Sequence, residues 1–268
     1  MKPPPEQARR LITLTTDFGT AGGYVGAIKG RILSEAPHAA IHDISHQIAP
    51  HSVLEGAWCL ARAAPRFPPG TVHLAVVDPG VGSPRDAIVV ETERFLLLGT
   101  DNGLLHLAAQ KGGIKRIYAI GESPPQRVRS VSFDGLNFFA PAAASLLMGA
   151  ASEELGEARQ RMVPLVQPTP ERREGMVEGE ILLFDHFGNA ITNITQTDLD
   201  SAVPSAITLA GGQSAQICSH YAEAESPGQI AAIWNSDGHL ELALYGASLR
   251  DRHNLTTGER VRVNLHTT

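Results

Sequence analysis

Thr71-Val72-His73-Leu74-Ala75-Val76-Val77 is an apolar, β-branched run of strand length that stops at Asp78-Pro79-Gly80. Proline donates no amide and glycine accepts positive φ, so this triplet ends a strand and opens a loop. Gly82, Ser83 and Pro84 prolong the loop before Ala87-Ile88-Val89-Val90 begins another strand. An acid at a strand's carboxyl end, Asp78, and a base further on, Arg85, can then converge at one loop mouth. In open α/β sheets ligands bind at that edge. Taken alone, an Asp-Pro-Gly favours a plainer reading, in which Asp78 caps its own turn and Arg85 is a surface charge.

The same construction recurs earlier in the chain. Leu11 to Thr16 alternates like a strand and ends in Asp17-Phe18-Gly19, and apolar residues at helical spacing follow from Tyr24 to Ser34. A second strand covers Ala39 to Ile44, and a helix is expected from about Ser52 to Ala63. Phe95 to Gly99 is a further strand, ending in Thr100-Asp101-Asn102-Gly103. Helices over Leu104 to Gln110 and Phe139 to Met148 flank a short strand near Ile117, and Pro141 suits a helix's first turn. Strands alternating with helices predict a mainly parallel, layered α/β domain of the Rossmann-like kind. Between Gly156 and Gly179 the composition turns to Pro164, Pro168, Pro170 and a charged Glu171-Arg172-Arg173-Glu174, which reads as a linker. Beyond it helix signals vanish. Short runs at 179–185, 190–194, 206–209, 216–221, 229–234, 240–245 and 260–265 predict a compact β-barrel or sandwich. The expected division is a larger N-terminal α/β domain, 1–170, and a smaller C-terminal β-barrel domain, 171–268.

Composition narrows the function classes. A formal net charge of -6 and the absence of any Lys/Arg block argue against nucleic acid. No apolar run reaches membrane length and the first residues lack a signal peptide's apolar region, so a soluble cytoplasmic protein is expected. Cys59 and Cys218 are far apart in apolar surroundings, which suits two reduced thiols.

Four carboxylates, Asp17, Asp78, Asp101 and Asp185, share one setting: a strand end followed by Gly or Asn. One such residue is a turn former; four are harder to assign to turns alone. His42, Asp43, His46 and His51 add imidazoles, and from residue types alone a metallohydrolase is a fair reading. Against it, Asp43-Ile44-Ser45 runs from strand to loop, so His42 and His46 do not share a helix face. No G-x-G-x-x-G, P-loop or G-x-S-x-G is present, so NAD, NTP and serine-hydrolase readings find no support.

Thr15-Thr16-Asp17-Phe18-Gly19, Val77-Asp78-Pro79-Gly80-Val81-Gly82, Thr100-Asp101-Asn102-Gly103-Leu104-Leu105, Phe139-Ala140-Pro141-Ala142-Ala143 and Phe184-Asp185-His186-Phe187-Gly188-Asn189 occur in that order. Together they resemble the S-adenosylmethionine hydroxide adenosyltransferase family, whose relatives include the fluorinase and chlorinase. The resemblance runs from about Leu11 to Val263. It implies homotrimers with an active site between one subunit's first domain and a neighbour's second, and substitution at the 5′ carbon of S-adenosylmethionine. It implies no metal and no cofactor, with S-adenosylmethionine as substrate and adenosine and methionine as products. Carried over position by position, Asp17 takes the ribose hydroxyls, and Asp185 and Ser236 hold the methionine ammonium and its polar neighbours. Phe187 and Tyr221 flank the adenine, and Asn189 with the Ala247 backbone makes its polar contacts; taken alone, the two aromatics would be ordinary core.

The nucleophile should be written in Asp78 and Arg85. A carboxylate beside the reacting centre repels a halide and suits water, so the chain resembles the hydrolytic branch, which carries an Asp-Arg-His triad. Here it departs from the pattern. Where that branch reads Phe-His-Gly-Arg-Asp, this chain has Phe133-Asp134-Gly135-Leu136-Asn137. Either Asp134 takes over the base or water-orienting role, with Asp78 and Arg85 as its catalytic partners, or activity is weak, altered or lost and the chain is an adenosine- or S-adenosylmethionine-binding protein.

Overall fold

The computed structural model describes residues 11–121, 133–224, 226 and 228–266, which fall into two units, Met1–Val166 and Gln167–Thr268. The N-terminal unit runs β1 (Leu11–Thr16), α1 (Tyr24–Glu35), β2 (Ala40–Ser45), α2 (Val53–Ala63), β3 (Val72–Val76), β4 (Ala87–Thr92), β5 (Leu96–Thr100), α3 (His106–Gly112), β6 (Ile114–Ile120), α4 (Ala140–Met148) and β7 (Gly156–Arg159). Its sheet has the order β2-β1-β3-β5-β4-β6-β7.

Helices cover both faces, because successive side chains of a strand point to opposite sides. Val72, Leu74 and Val76 of β3 join Ile28 and Ile32 of α1 and Ala143 and Leu147 of α4 in one buried cluster. Ala75 and Val77 join Leu60 of α2 and Ala108 of α3 in another. This is why the run 71–77 is apolar at every position but Thr71 and His73, which are themselves buried: it is the centre of a three-layer structure.

The sheet is parallel only through β2, β1, β3 and β5; β4, β6 and β7 are antiparallel to their neighbours. The sequence expectation of a mainly parallel sheet is corrected here for a geometric reason. Only Glu93-Arg94-Phe95 separates β4 from β5, a hairpin length that admits no crossover. His73 of β3 is fully buried, its Nδ1 2.6 Å from Thr13 Oγ1. Burial holds this imidazole neutral by pushing its pKa down to about 3.

The C-terminal unit contains β8 (Glu171–Arg173), β9 (Met176–Phe184), β10 (Ala190–Thr195), β11 (Pro204–Leu209), β12 (Ser214–Ile217), β13 (Ile230–Trp234), β14 (His239–Leu244), α5 (Leu249–His253) and β15 (Arg260–Leu265). Seven of these strands close into a barrel, β10-β14-β13-β12-β11-β15-β9 and back to β10, with β8 added outside β9. Val177, Ile181, Ile194, Leu240, Leu242, Val261 and Val263 form its interior.

Three local expectations change. The stretch expected as a linker holds β7 and β8, and the described residues of the barrel unit include an α-helix, α5, capped by the Ser248 side chain on Asp251 N–H. The strand expected over 216–221 ends at Ile217, because the Glu223 carboxylate accepts Ser219 N–H at 2.9 Å and draws the chain into a turn. Among the described residues no helix is long and apolar enough to cross a membrane.

Candidate active site

Asp17 leaves β1, and Asp78 follows β3 at the same edge of the sheet, because β1 and β3 pair in parallel with Thr16 opposite Val76. A cavity of about 370 Å³ opens there, lined by Asp17, Asp78 and Asp134 together with Phe18, Tyr24, His51, Val81 and Phe133. Asp134 arrives from elsewhere: it precedes a π-type turn, Gly135–Phe139, that runs straight into α4. Phe139, 2% exposed, anchors that turn in the core. Such turns recur at functional sites, since they swing a side chain out of helical register.

Arg85 joins the two acids. Its Nε donates to Asp78 Oδ2 at 2.6 Å and its Nη2 to Asp134 Oδ2 at 2.7 Å, with Nη2 also paired to Asp78. Asp78 further accepts from Gly80 N–H at 3.0 Å and Thr100 Oγ1–H at 3.2 Å. Partial burial works against the Arg85 charge, but hydrogen bonds and attraction from both acids outweigh it and raise its pKa. The plain reading of Asp78 as a turn cap is half right: it holds its own Gly80 and a guanidinium as well. Asp17 Oδ2 accepts the His51 N–H at 2.9 Å.

The other strand-end acids do different work. Asp101 Oδ1 accepts Val163 N–H at 2.7 Å, and burial raises its pKa despite that bond. It ties a surface crossing and is absent from the cavity wall. His46, 5% exposed, places Nδ1 2.8 Å from Thr16 Oγ1 and Nε2 3.0 Å from Asp43. Among the described residues, no three His, Cys, Asp or Glu side chains converge in a way that could hold a metal ion.

In the C-terminal unit Asp185, Phe187 and Asn189 sit on the β9–β10 turn. Asp185 accepts Phe187 N–H, Asn189 N–H and Asn189 Nδ2–H, each at 2.9 Å. Arg250 N–H donates to Gly188 O at 3.0 Å, which docks this turn against the Ala247–Arg250 segment. Phe187 stands 73% exposed, a poor match for a core residue. Ser236 is elsewhere, in the β13–β14 turn, whereas Ala247 follows the far end of β14. Tyr221 approaches that turn's neighbour: its hydroxyl donates to Glu241 Oε1 at 2.5 Å, and Asn235 Nδ2 donates to Oε2 at 3.3 Å. Within this unit the chosen residues therefore form two groups separated by the length of one strand. Tyr221 and Tyr245 are exposed, while Trp234 is half-buried against the barrel core.

Three residues at these sites escape sequence reasoning: Thr100, Tyr24 and Glu241. Thr100 carried a signal, standing beside the strand-end Asp101, and His51 was visible only as one imidazole among several.

The S-adenosylmethionine hydroxide adenosyltransferase N-terminal domain family matches residues 12–156, and the C-terminal domain family matches residues 179–262. An (R)-S-adenosyl-L-methionine hydrolase of Methanocaldococcus jannaschii is 44% identical over 195 residues, 70% of this chain and 68% of that protein. One from Salinispora tropica is 34% identical over 94% of this chain and 97% of that protein. A fluorinase from Actinoplanes is more distant, 26% identical over 97% of this chain and 99% of that protein. The crystal structure of an uncharacterized conserved protein from Thermotoga maritima superposes with a TM-score of 0.81 at 30% identity, covering 95% of this chain and 99% of that one.

Proposed function

The chain belongs to the S-adenosylmethionine hydroxide adenosyltransferase family, and on that premise we infer that it hydrolyses S-adenosyl-L-methionine to adenosine and L-methionine. The observation that carries this reading is the Asp78–Arg85–Asp134 array at the cavity. A sulfonium is already a good leaving group, so the protein's task is to hold a nucleophile in line behind the ribose 5′ carbon. Three carboxylates against one guanidinium favour a cationic sulfonium and disfavour a halide, whose dehydration there would be uncompensated. Water is then the nucleophile, oriented by Asp134 while Arg85 fixes Asp134 against Asp78. Asp17 keeps Oδ1 for the ribose diol, its Oδ2 being engaged by His51 N–H. Asp185, Phe187, Asn189, Tyr221, Ser236 and Ala247 contact the adenine and methionine ends in this proposal. Neither a metal nor a cofactor takes part.

Product analysis tests the reading: incubation with S-adenosylmethionine should release adenosine and methionine in equal amounts, undiminished by chelator. Binding without adenosine release would make the chain a binding protein of the same family, a reading that Asp134 in place of histidine keeps in view. Loss of activity with chelator would favour a metal-dependent hydrolase.

Asp17→Ala should weaken adenosine binding by about 1.5–3 kcal/mol, the loss of charge-assisted bonds to two hydroxyls. Calorimetry on the folded variant measures this, and an unchanged affinity would remove Asp17 from the ribose site. We also propose a cyclic homotrimer whose site is completed by a neighbouring subunit's barrel unit. The exposed Phe187, Tyr221 and Tyr245 give such a surface its aromatic content. Light scattering should report about three times 28.5 kDa; an active monomer at assay concentration contradicts the shared site.

A further inference from the structure

We propose that His51 accepts the proton of the attacking water. The proposal rests on the hydrolytic reading above and supplies the step that the array leaves open. Hydrolysis of a sulfonium releases one proton per turnover, and something at the cavity must take it. Every carboxylate there already serves a donor. Asp78 holds Arg85, Gly80 and Thr100, Asp134 holds Arg85, and Asp17 holds the His51 amide. A carboxylate is also an intrinsically weaker base near neutral pH than an imidazole.

Among the described residues lining the cavity, His51 is the one histidine. Among the described residues its ring makes no hydrogen bond, unlike His46 and His73, whose rings are engaged by threonines. Its position is fixed by the backbone on both sides. The amide donates to Asp17 at 2.9 Å and the carbonyl accepts Val53 N–H at 3.0 Å, just ahead of α2. The residue sits at φ 67, a left-handed conformation that costs a side-chain-bearing residue energy and is retained where surroundings over-determine it. The charged and titratable groups lining the cavity beside it are Asp17, Asp78, Asp134 and Tyr24, and Arg85 is bonded to two of them, Asp78 and Asp134.

The step balances. A water O–H bond breaks and its proton passes to a His51 ring nitrogen as the oxygen bonds to the 5′ carbon. The bond from that carbon to sulfur breaks with its electron pair going to sulfur, which leaves as the neutral thioether of methionine. The imidazolium then returns its proton to solvent.

His51→Asn keeps a residue that tolerates the left-handed backbone and retains the amide on Asp17. Adenosine release should fall about 10²-fold with KM little changed, and added imidazole should restore part of the rate in the variant and none in the parent. Asp134→His places a second imidazole beside Arg85, so in that background His51→Asn should cost less than about threefold. His51→Gln, melted beside the parent, controls for folding. Turnover of His51→Asn within twofold of the parent overturns the assignment. So does an equal loss in both backgrounds without imidazole rescue, which would mark His51 as a binding or structural residue. A parent chain that binds S-adenosylmethionine and releases no adenosine overturns the hydrolytic reading itself, and that outcome is visible before any variant is made.

Discussion

Arg85→Ala is expected to lower adenosine release by about 10²–10³-fold, the loss that follows removal of a preorganised charged donor from a reacting centre. Among the described residues Arg85 is the one hydrogen-bonded link between Asp78 and Asp134, and its side chain is 17% exposed against 2% for Asp78. With it gone, two like charges face one another across the cavity and Asp78 loses its strongest partner. One acid is then driven to take up a proton, and the water-orienting geometry goes with it. The fold should suffer less than activity. Asp134 is 34% exposed, so solvent softens the cost to roughly 1–3 kcal/mol, below the range for a fully buried pair. Arg85→Lys keeps the charge and loses the planar fork that reaches two carboxylates at once, so it should fall between parent and alanine. Steady-state assays beside thermal melts read both quantities. Turnover of a folded Arg85→Ala within tenfold of the parent would take the array out of the chemistry.

What could be read from the sequence divides along the range of the interactions involved. β1 and β3 were legible because a buried central strand is apolar on both faces and its end is punctuated by Gly or Pro. Strand direction was not, since hydrophobic period carries no sign; the antiparallel half of the sheet follows from a short hairpin and from pairings made across many residues. β7 and β8 span only Gly156–Arg159 and Glu171–Arg173 at sheet margins, too short and polar for any periodicity to register. α5 has five residues, too few for a hydrophobic period to register, and its local signs are confined to its ends: Ser248 as cap, Asp251 in the first turn, Arg252 and His253 in the last, and Asn254 beyond.

The site shows the same division. Asp17 and Asp78 could be chosen by setting, yet Asp101 has that setting too, and its partner, the Val163 amide, lies 62 residues away. Asp134 was reachable only through resemblance, because Phe133-Asp134-Gly135 reads locally as a turn and its partner Arg85 is 49 residues distant. His51 was noted only as one imidazole among several. Its place in the cavity depends on a positive φ and on the Asp17 carboxylate, neither of which a residue pattern encodes.

Gly188→Ala is expected to destabilise the barrel unit by about 2–5 kcal/mol and to weaken S-adenosylmethionine binding with it. Gly188 sits at φ 81, where an alanine loses roughly 1–2 kcal/mol to the clash of its Cβ with its own backbone. The added Cβ would also lie 2.1 Å from Ser248 Oγ and 2.8 Å from Ser248 Cβ, an overpacking that typically costs about 1–3 kcal/mol. Relief requires either Ser248 or the Asp185–Asn189 turn to move. Ser248 caps α5, and the turn is docked through Arg250 N–H on Gly188 O, so each route dismantles a second interaction. Asp185, Phe187 and Asn189 would shift together, because the Asp185 carboxylate accepts from Phe187 N–H, Asn189 N–H and Asn189 Nδ2–H. The melting temperature should fall by at least about 8 °C, given the usual conversion for a unit of this size. Gly212→Ala is the control: it has φ 83 with no atom within 4 Å of the added Cβ, so only the backbone cost applies and ligand affinity should hold. Adding Ser248→Gly to Gly188→Ala should recover part of the loss by removing the clash while leaving the strained φ. A Gly188→Ala protein that melts and binds like its parent would show that the turn yields freely, and that the close approach of Gly188 to Ser248 does not position the Asp185 group.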